Sequence, residues 1–279
     1  MTELVHEIAG LLGRSGVASP APEARTLVAH VLGVEPRDLL RVRGVSDEQR
    51  AMIDALAARR AAGEPLQHIT GLAYFRYETL SVGPGVFIPR PETEEMVGWA
   101  LSELARRPVG ARRVVELCAG SGAITAALAR ELGGLDLYAV ELSADAFGYL
   151  ERNLEAVDVH LVLGDMASAF PELDGTVDLV IANPPYIPEA HRVILPDDVV
   201  LHDPHLALFS GADGLDALRV VAETSSRLLK PGGLVAAEHD ESHAEDVVRL
   251  FADGFHDVTS RRDLTRRPRY VTAVRSWQD

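Results

Sequence analysis

The chain has 279 residues, 47% hydrophobic and 25% charged, an ordinary globular composition that allows a sizeable core and excludes wholesale disorder. Lys and Arg total 27 against 42 Asp and Glu, a formal net charge of -15, which argues against a protein that grips nucleic acid through many phosphates. Cys118 is the one cysteine, so disulfide stapling and a cysteine-based zinc site are excluded. With no signal-like start and no run of ~18 uncharged apolar residues, the expectation is a cytoplasmic protein without membrane contact.

From Leu4 to about Gly63 the apolar residues recur at helical spacing, as in Val5, Ile8, Leu11 and Leu12, then Leu27, Val28 and Val31, then Met52, Ile53 and Leu56. They predict a small bundle of about four helices, punctuated by Pro20, Pro22, Pro36, Gly13, Gly16 and Gly33. Between Pro65 and Pro91 the texture changes to Tyr74, Phe75, Tyr77, Leu80, Val82 and Phe87 with glycines, the pattern of a hairpin. The expected organisation is an N-terminal helical domain over 1–64, a hairpin linker over 65–91 and a second domain over 92–279. From Arg113 onward short apolar runs, Val114–Leu117, Leu137–Val140, Val159–Leu163, Val177–Ala182 and Leu234–Ala237, alternate with amphipathic helices such as 123–132 and 145–156. Strands alternating with helices imply right-handed crossovers and a mostly parallel, doubly wound α/β sheet, with ligands at the carboxyl ends of its strands.

The first of these strands runs into Glu116-Leu117-Cys118-Ala119-Gly120-Ser121-Gly122, a glycine turn whose backbone can approach a ligand at a helix N-terminus. The next strand ends in Glu141, about 20 residues on, the spacing at which a carboxylate takes ribose hydroxyls. A dinucleotide fits poorly, because the third glycine of the G-x-G-x-x-G pattern falls on Thr125 and no basic group near Gly120 serves a pyrophosphate. S-adenosylmethionine fits better, its amino-acid tail suiting an acid such as Glu116. After the third strand, Asp165 is either an acceptor for an adenine amino group or a helix N-cap, and Met166 is placed to pack on the ring.

The fourth strand is followed by Asn183-Pro184-Pro185-Tyr186. Two prolines lack N–H groups and fix φ, so the loop presents carbonyl acceptors at a rigid strand end. A planar NH2 group can donate to the Asn183 side-chain oxygen and the Pro184 carbonyl while Tyr186 packs on a flat substrate. An amide or aromatic amine nitrogen attacks poorly because its lone pair is delocalised. As it attacks a methyl it pyramidalises and gains positive charge, which preorganised acceptors stabilise more than they stabilise the planar ground state.

These motifs, with Phe87-Ile88-Pro89-Arg90-Pro91-Glu92-Thr93-Glu94, Pro65-Leu66-Gln67-His68-Ile69-Thr70-Gly71 and Asp213-Gly214-Leu215-Asp216, resemble the peptide chain release factor N5-glutamine methyltransferases (PrmC/HemK) over nearly the whole chain. The resemblance implies a Rossmann-like class I methyltransferase domain behind a small helical bundle. It also implies methyl transfer from S-adenosylmethionine, leaving S-adenosylhomocysteine, to the glutamine amide of the Gly-Gly-Gln motif in class 1 release factors, a translation-termination role. By the same resemblance Asn183 and the Pro184 carbonyl hold the amide, Pro185 and Tyr186 shape its slot, Phe87 lies near the methyl group, Glu141 binds the ribose, and the helical domain docks the release factor, with no direct nucleic-acid partner. Nucleic-acid enzymes that methylate adenine N6 or cytosine N4 share Asn-Pro-Pro-Tyr, but the net charge and the Ile88–Glu94 block argue against that alternative, and the intact motif opposes a non-catalytic scaffold. The family usually has glycine where Cys118 stands and commonly where Arg266 stands; after Glu238 the chain continues His239-Asp240 where relatives often have a glycine close by.

The remaining candidates have plainer readings. The basic clusters Arg59-Arg60, Arg112-Arg113 and Arg261 to Arg269 read as solvated surface charge, and Asp213, Asp216 and Asp240 as caps or solvated charges. The pairs His202/His205 and His239/His243 lack a zincin arrangement, so no metal is expected. Cys118 has a packing role. Arg90 either positions the linker against the active-site loop or forms a surface ion pair.

Overall fold

The computed structural model describes residues 1–108, 112–195 and 197–277, which form two compact units, 1–72 with 197–202, and 73–195 with 203–277. In the first unit α1 (Thr2–Arg14), α2 (Pro20–Leu32), α3 (Asp47–Ala61) and α4 (Leu66–Thr70) surround a core that includes Leu4, Ile8, Leu12, Leu27, Val28, Ile53 and Ala57. Local chemistry sets the ends: α2 starts on Pro20, whose missing N–H is no loss there, and stops at Gly33 with φ +63. At the start of α3, Ser46 and Gln49 cap each other's backbone N–H groups at 3.1 and 2.9 Å.

The second unit opens with a hairpin of β1 (Leu72–Phe75) and β2 (Glu78–Ser81). Next come α5 (Thr93–Ala105), β3 (Arg113–Leu117), α6 (Ala123–Glu131), β4 (Asp136–Glu141), α7 (Ala144–Asn153), β5 (Val159–Leu163) and β6 (Val177–Ala182). The chain then visits the first unit in α8 (Asp197–His202) and returns through α9 (His205–Leu208), α10 (Asp216–Leu228), β7 (Leu229–Glu238), α11 (Ala244–Phe251), β8 (Phe255–Arg262) and β9 (Pro268–Arg275). The sheet has seven strands in the order β5-β4-β3-β6-β7-β9-β8. The first five in that order are parallel, and β9 and β8 add an antiparallel pair.

Alternation along the central strands explains the double winding. Val114, Leu179, Ile181, Leu234 and Ala236 face one core with α5, α6 and α7. Val115, Leu117, Val180, Ala182, Val235 and Ala237 face another with α10 and α11. A strand covered on both faces is buried along its whole length, as β6 is at all six positions. The order reverses between β3 and β6, so a crevice opens at their carboxyl ends.

The expected mostly parallel, doubly wound sheet is present, with one antiparallel pair added at its edge. The β8–β9 hairpin is hidden in the sequence because β8 is nearly all polar, with only Phe255 fully buried. The basic clusters are solvated charge at Arg59, Arg261, Arg262, Arg266 and Arg267, which are exposed, although several of their arginines also have partners. Arg59 and Arg60 pair with Glu64 and Glu23, and buried Arg112 donates to the carbonyls of Arg107 and Gly133. Arg261 lies 5.5 Å over the Trp99 ring and donates to Thr272, while Arg269 pairs with buried Asp263 at 3.0 Å. In the β8–β9 turn Arg266 is held at φ +68, a left-handed conformation that favours glycine, the residue the family resemblance leads one to expect there. That conformation costs an L-residue ~1–2 kcal/mol, partly offset by glycine's larger unfolded-state entropy. Arg266→Gly is expected to raise Tm by about 2 °C or more; a fall in Tm on thermal melting would contradict this.

Candidate active site

The glycine turn after β3 is wound through the left-handed region at alternate residues, Cys118 at φ +56, Gly120 at +55 and Gly122 at +81. Cys118 thus occupies a backbone position that favours glycine, the residue the family resemblance leads one to expect there. Its half-buried thiol lies 3.5 Å from the Met166 sulfur. A Cβ at Gly122 would sit 2.8 Å from Leu150, whereas one at Gly120 would meet nothing within 4 Å. The turn therefore packs α7 closely on one side and stays open at Gly120.

Glu141, at the end of β4, accepts the Gly120 N–H through Oε2 and the Ser143 N–H through Oε1, both at 2.8 Å. Each oxygen keeps further acceptor capacity. Glu116 is 1% exposed; its Oε2 accepts the Thr125 N–H at 2.9 Å and the Thr125 hydroxyl. Burial pushes its carboxyl up to about 8, so a cation brought close would favour its ionised form. In the sequence Thr125 reads only as the missing third glycine, yet its hydroxyl and N–H hold Glu116 on the first turn of α6. Asp165 is exposed and accepts the Ala167 N–H at 2.9 Å; the residues after it form a turn rather than a helix, so it caps a turn. Burial first, then the charges of Glu141, Glu116 and Asp165, push the Cys118 thiol up. Three acidic side chains thus surround one turn, Glu116 ionising only when a cation is brought close, a setting that suits a cation better than a pyrophosphate.

At the end of β6 the half-buried Asn183 donates from Nδ2 to Thr93 Oγ1 at 3.2 Å. Thr93, the first residue of α5, donates to Glu238 Oε2 at 2.6 Å, and Tyr186 donates to Glu238 Oε1 at 3.0 Å. Burial raises both the Glu238 carboxyl and the Tyr186 hydroxyl. The loop is therefore anchored at Asn183, while the Tyr186 hydroxyl points to Glu238 and its ring packs at the margin of a core. Sequence reasoning misses Thr93 and Glu238 as functional groups, since the only signal is their position at a helix start and a strand end.

The loop's exit is pinned by Ile187 N–H to the Leu208 carbonyl and Ser210 N–H to the Ile187 carbonyl, both 2.9 Å. Gly214, at φ +79, passes where a Cβ would stand 2.5 Å from the Tyr186 carbonyl and 2.8 Å from His243. Close approach to this loop is thus the reason for glycine in Asp213-Gly214-Leu215-Asp216. Asp213 caps Leu215 at 3.0 Å and pairs with Arg219, which lowers it to about 2. Arg90 pairs with buried Asp203 at 2.6 Å and lies 4.9 Å from the Phe87 ring centre, so it is a positioning group rather than a surface ion pair. His239 is buried between the Asp240 carbonyl and Ser260. Among the described residues no group of three or more His, Cys, Asp or Glu is arranged to hold a metal, and no helix is long and apolar enough to cross a membrane.

The strand order, the glycine turn with an acid at the neighbouring strand end, and the Asn-Pro-Pro-Tyr loop together define a class I methyltransferase fold. Residues 114–195 match the family model described as Methyltransferase domain, and residues 3–71 match the PrmC N-terminal domain. A "Release factor glutamine methyltransferase" of Streptomyces coelicolor is 46% identical, covering 98% of each chain; the chain belongs to the release factor glutamine methyltransferase family. A further relative, in Streptomyces pristinaespiralis, is 39% identical over 99% of this chain and 95% of its own, and is named a 4-amino-L-phenylalanine/4-methylamino-L-phenylalanine methyltransferase. The fold is also that of the hMettl16 catalytic domain crystallised with the MAT2A 3'UTR hairpin 1, at TM-score 0.56 and 14% identity over 90% of this chain and 91% of that one.

Proposed function

We propose that this chain transfers a methyl group from S-adenosylmethionine to the side-chain amide nitrogen of the glutamine in the Gly-Gly-Gln motif of class 1 release factors, in the cytoplasm. The observation that carries the reading is the Asn183 amide, whose nitrogen is engaged by Thr93 and whose oxygen is left to accept. When bound, the cofactor supplies an electrophilic methyl on a sulfonium. Glu141 holds the ribose with its spare lone pairs, Glu116 faces the cationic tail, and Cys118, Ala119, Gly120, Ser121 and Gly122 line the turn beneath it. Asp165 accepts from the adenine amino group, Met166 packs on the ring, and Phe87, fixed by Arg90, borders the methyl.

Asn183 Oδ1 and the Pro184 carbonyl accept the two N–H groups of the substrate amide and gain strength as its nitrogen pyramidalises and becomes positive. Pro185 and Tyr186 would shape a flat slot that holds the amide nitrogen toward the methyl donor, and the surplus proton of the methylated amide would leave to water. Residues 1–64 dock the release factor, with 65–91 as linker and 92–279 as the transferase.

The test presents purified enzyme and labelled cofactor with a release factor, with 4-amino-L-phenylalanine, and with adenine- and cytosine-containing oligonucleotides in separate reactions. Label on the release factor alone supports the reading. Label on the free amine or an oligonucleotide, with none on the release factor, overturns it.

A further inference from the structure

We infer that Thr93 and Glu238 fix which way the Asn183 side-chain amide faces, and thereby make the site an acceptor rather than a donor toward the substrate nitrogen. The inference rests on the proposed function, in which Asn183 receives the substrate's N–H.

A count of protons sets the orientation. Glu238 is 2% exposed and Thr93 is 3% exposed, so water does not complete their hydrogen bonding. Both carboxylate oxygens of Glu238 are met by hydroxyl donors, Oε2 by Thr93 at 2.6 Å and Oε1 by Tyr186 at 3.0 Å. Burial, the largest influence, and the charge of Glu92 raise the Glu238 carboxyl, while the two hydroxyl donors and the Arg269 guanidinium favour its ionised form; one donor on each oxygen is the arrangement an ionised carboxylate takes. An ionised carboxylate only accepts, so the single hydroxyl proton of Thr93 is spent on it. What Thr93 then offers Asn183, 3.2 Å away, is a lone pair. Asn183 meets a lone pair with Nδ2, and its oxygen is turned out of the relay; the reverse orientation would set two acceptors against each other in a buried place. The relay joins the first turn of α5, the end of β6 and the end of β7, so three elements of the scaffold hold one amide. Thr93 and Glu238 are positioning residues; neither touches the reacting atoms in this scheme.

Glu238→Gln keeps the volume but reverses the logic. Its carboxamide can donate to Thr93, whose proton is then free to point at Asn183 Oδ1 and turn Nδ2 outward, donor against donor with the substrate amide NH2. Thr93→Val keeps the shape and removes the relay, while Thr93→Ser keeps the hydroxyl.

The experiment measures kcat on a release factor and cofactor Kd for Thr93→Ser, Thr93→Val, Glu238→Gln and Asn183→Ala, and for Thr93→Val and Glu238→Gln combined with Asn183→Ala. The expected results are near-wild-type turnover for Thr93→Ser, and losses of about 10-fold or more in kcat for Thr93→Val and Glu238→Gln with Kd within about twofold. On the Asn183→Ala background each adds less than about twofold, because the orientation it sets no longer matters. A merely structural role would lower both backgrounds alike, and that result, or wild-type kcat in both single variants, overturns the inference. Should Thr93→Val fail to fold, the Glu238→Gln cycle decides the matter. Wild-type kcat in Asn183→Ala itself would overturn the role of Asn183 instead, which separates failure of that reading from failure of the relay.

Discussion

Asn183→Ala is expected to lower kcat on a release factor by about 10²-fold or more while leaving cofactor Kd near its wild-type value. The asymmetry comes from where the side chain sits and what it does. Asn183 leaves the end of β6, across the sheet's reversal from the glycine turn that ends β3. Its oxygen interacts weakly with a planar, neutral amide and strongly with a nitrogen acquiring charge. Removing it raises the barrier far more than it weakens binding. The backbone carbonyl of Pro184 survives the substitution, as do the pins at Ile187 and Gly214, so the loop should keep its shape and the variant its Tm. Turnover within a few-fold of wild type would remove Asn183 from the mechanism.

Glu141→Ala is expected to fail in the opposite way, weakening cofactor binding by about 1.5 to 3 kcal/mol, about 10- to 150-fold in Kd, with a smaller effect on kcat at saturation. Part of the loss is direct, the charge-assisted hydrogen bonds to a ribose. Part is indirect, because the same two oxygens hold the Gly120 and Ser143 N–H groups, and without them the glycine turn loses the tie that aims its backbone. Glu141→Gln separates the parts: its one acceptor oxygen can keep only one of those N–H bonds, and its NH2 faces the other as donor against donor. It should therefore lie close to Glu141→Ala in calorimetry. An unchanged Kd in Glu141→Ala would show that the carboxylate does not bind the cofactor.

Much of this architecture is legible in the sequence because it is written in periodicity. The apolar runs at Val114–Leu117 and Val177–Ala182 lie inside strands, and the helical spacing of Leu4 to Gly63 becomes a packed bundle. Positive-φ positions are partly legible too: Cys118 and Arg266, where the family resemblance leads one to expect glycine, are both left-handed. What escapes is whatever depends on pairing across the chain. Glu238 looks like any acid after a strand until the fold brings it to Thr93, 145 residues away. Thr125 looks like a failed glycine until it is seen to hold Glu116. The β8–β9 hairpin hides because its outward residues are largely polar and its partners are supplied by the rest of the sheet.

The central claim is that this site methylates a glutamine amide. Its most direct test is intact-mass analysis of a class 1 release factor incubated with this protein and S-adenosylmethionine, with subsequent fragmentation across the Gly-Gly-Gln loop. One added methyl, located on that glutamine and absent with Asn183→Ala, is the predicted result. An unmodified release factor, with cofactor binding by the same preparation verified by calorimetry, would contradict the account.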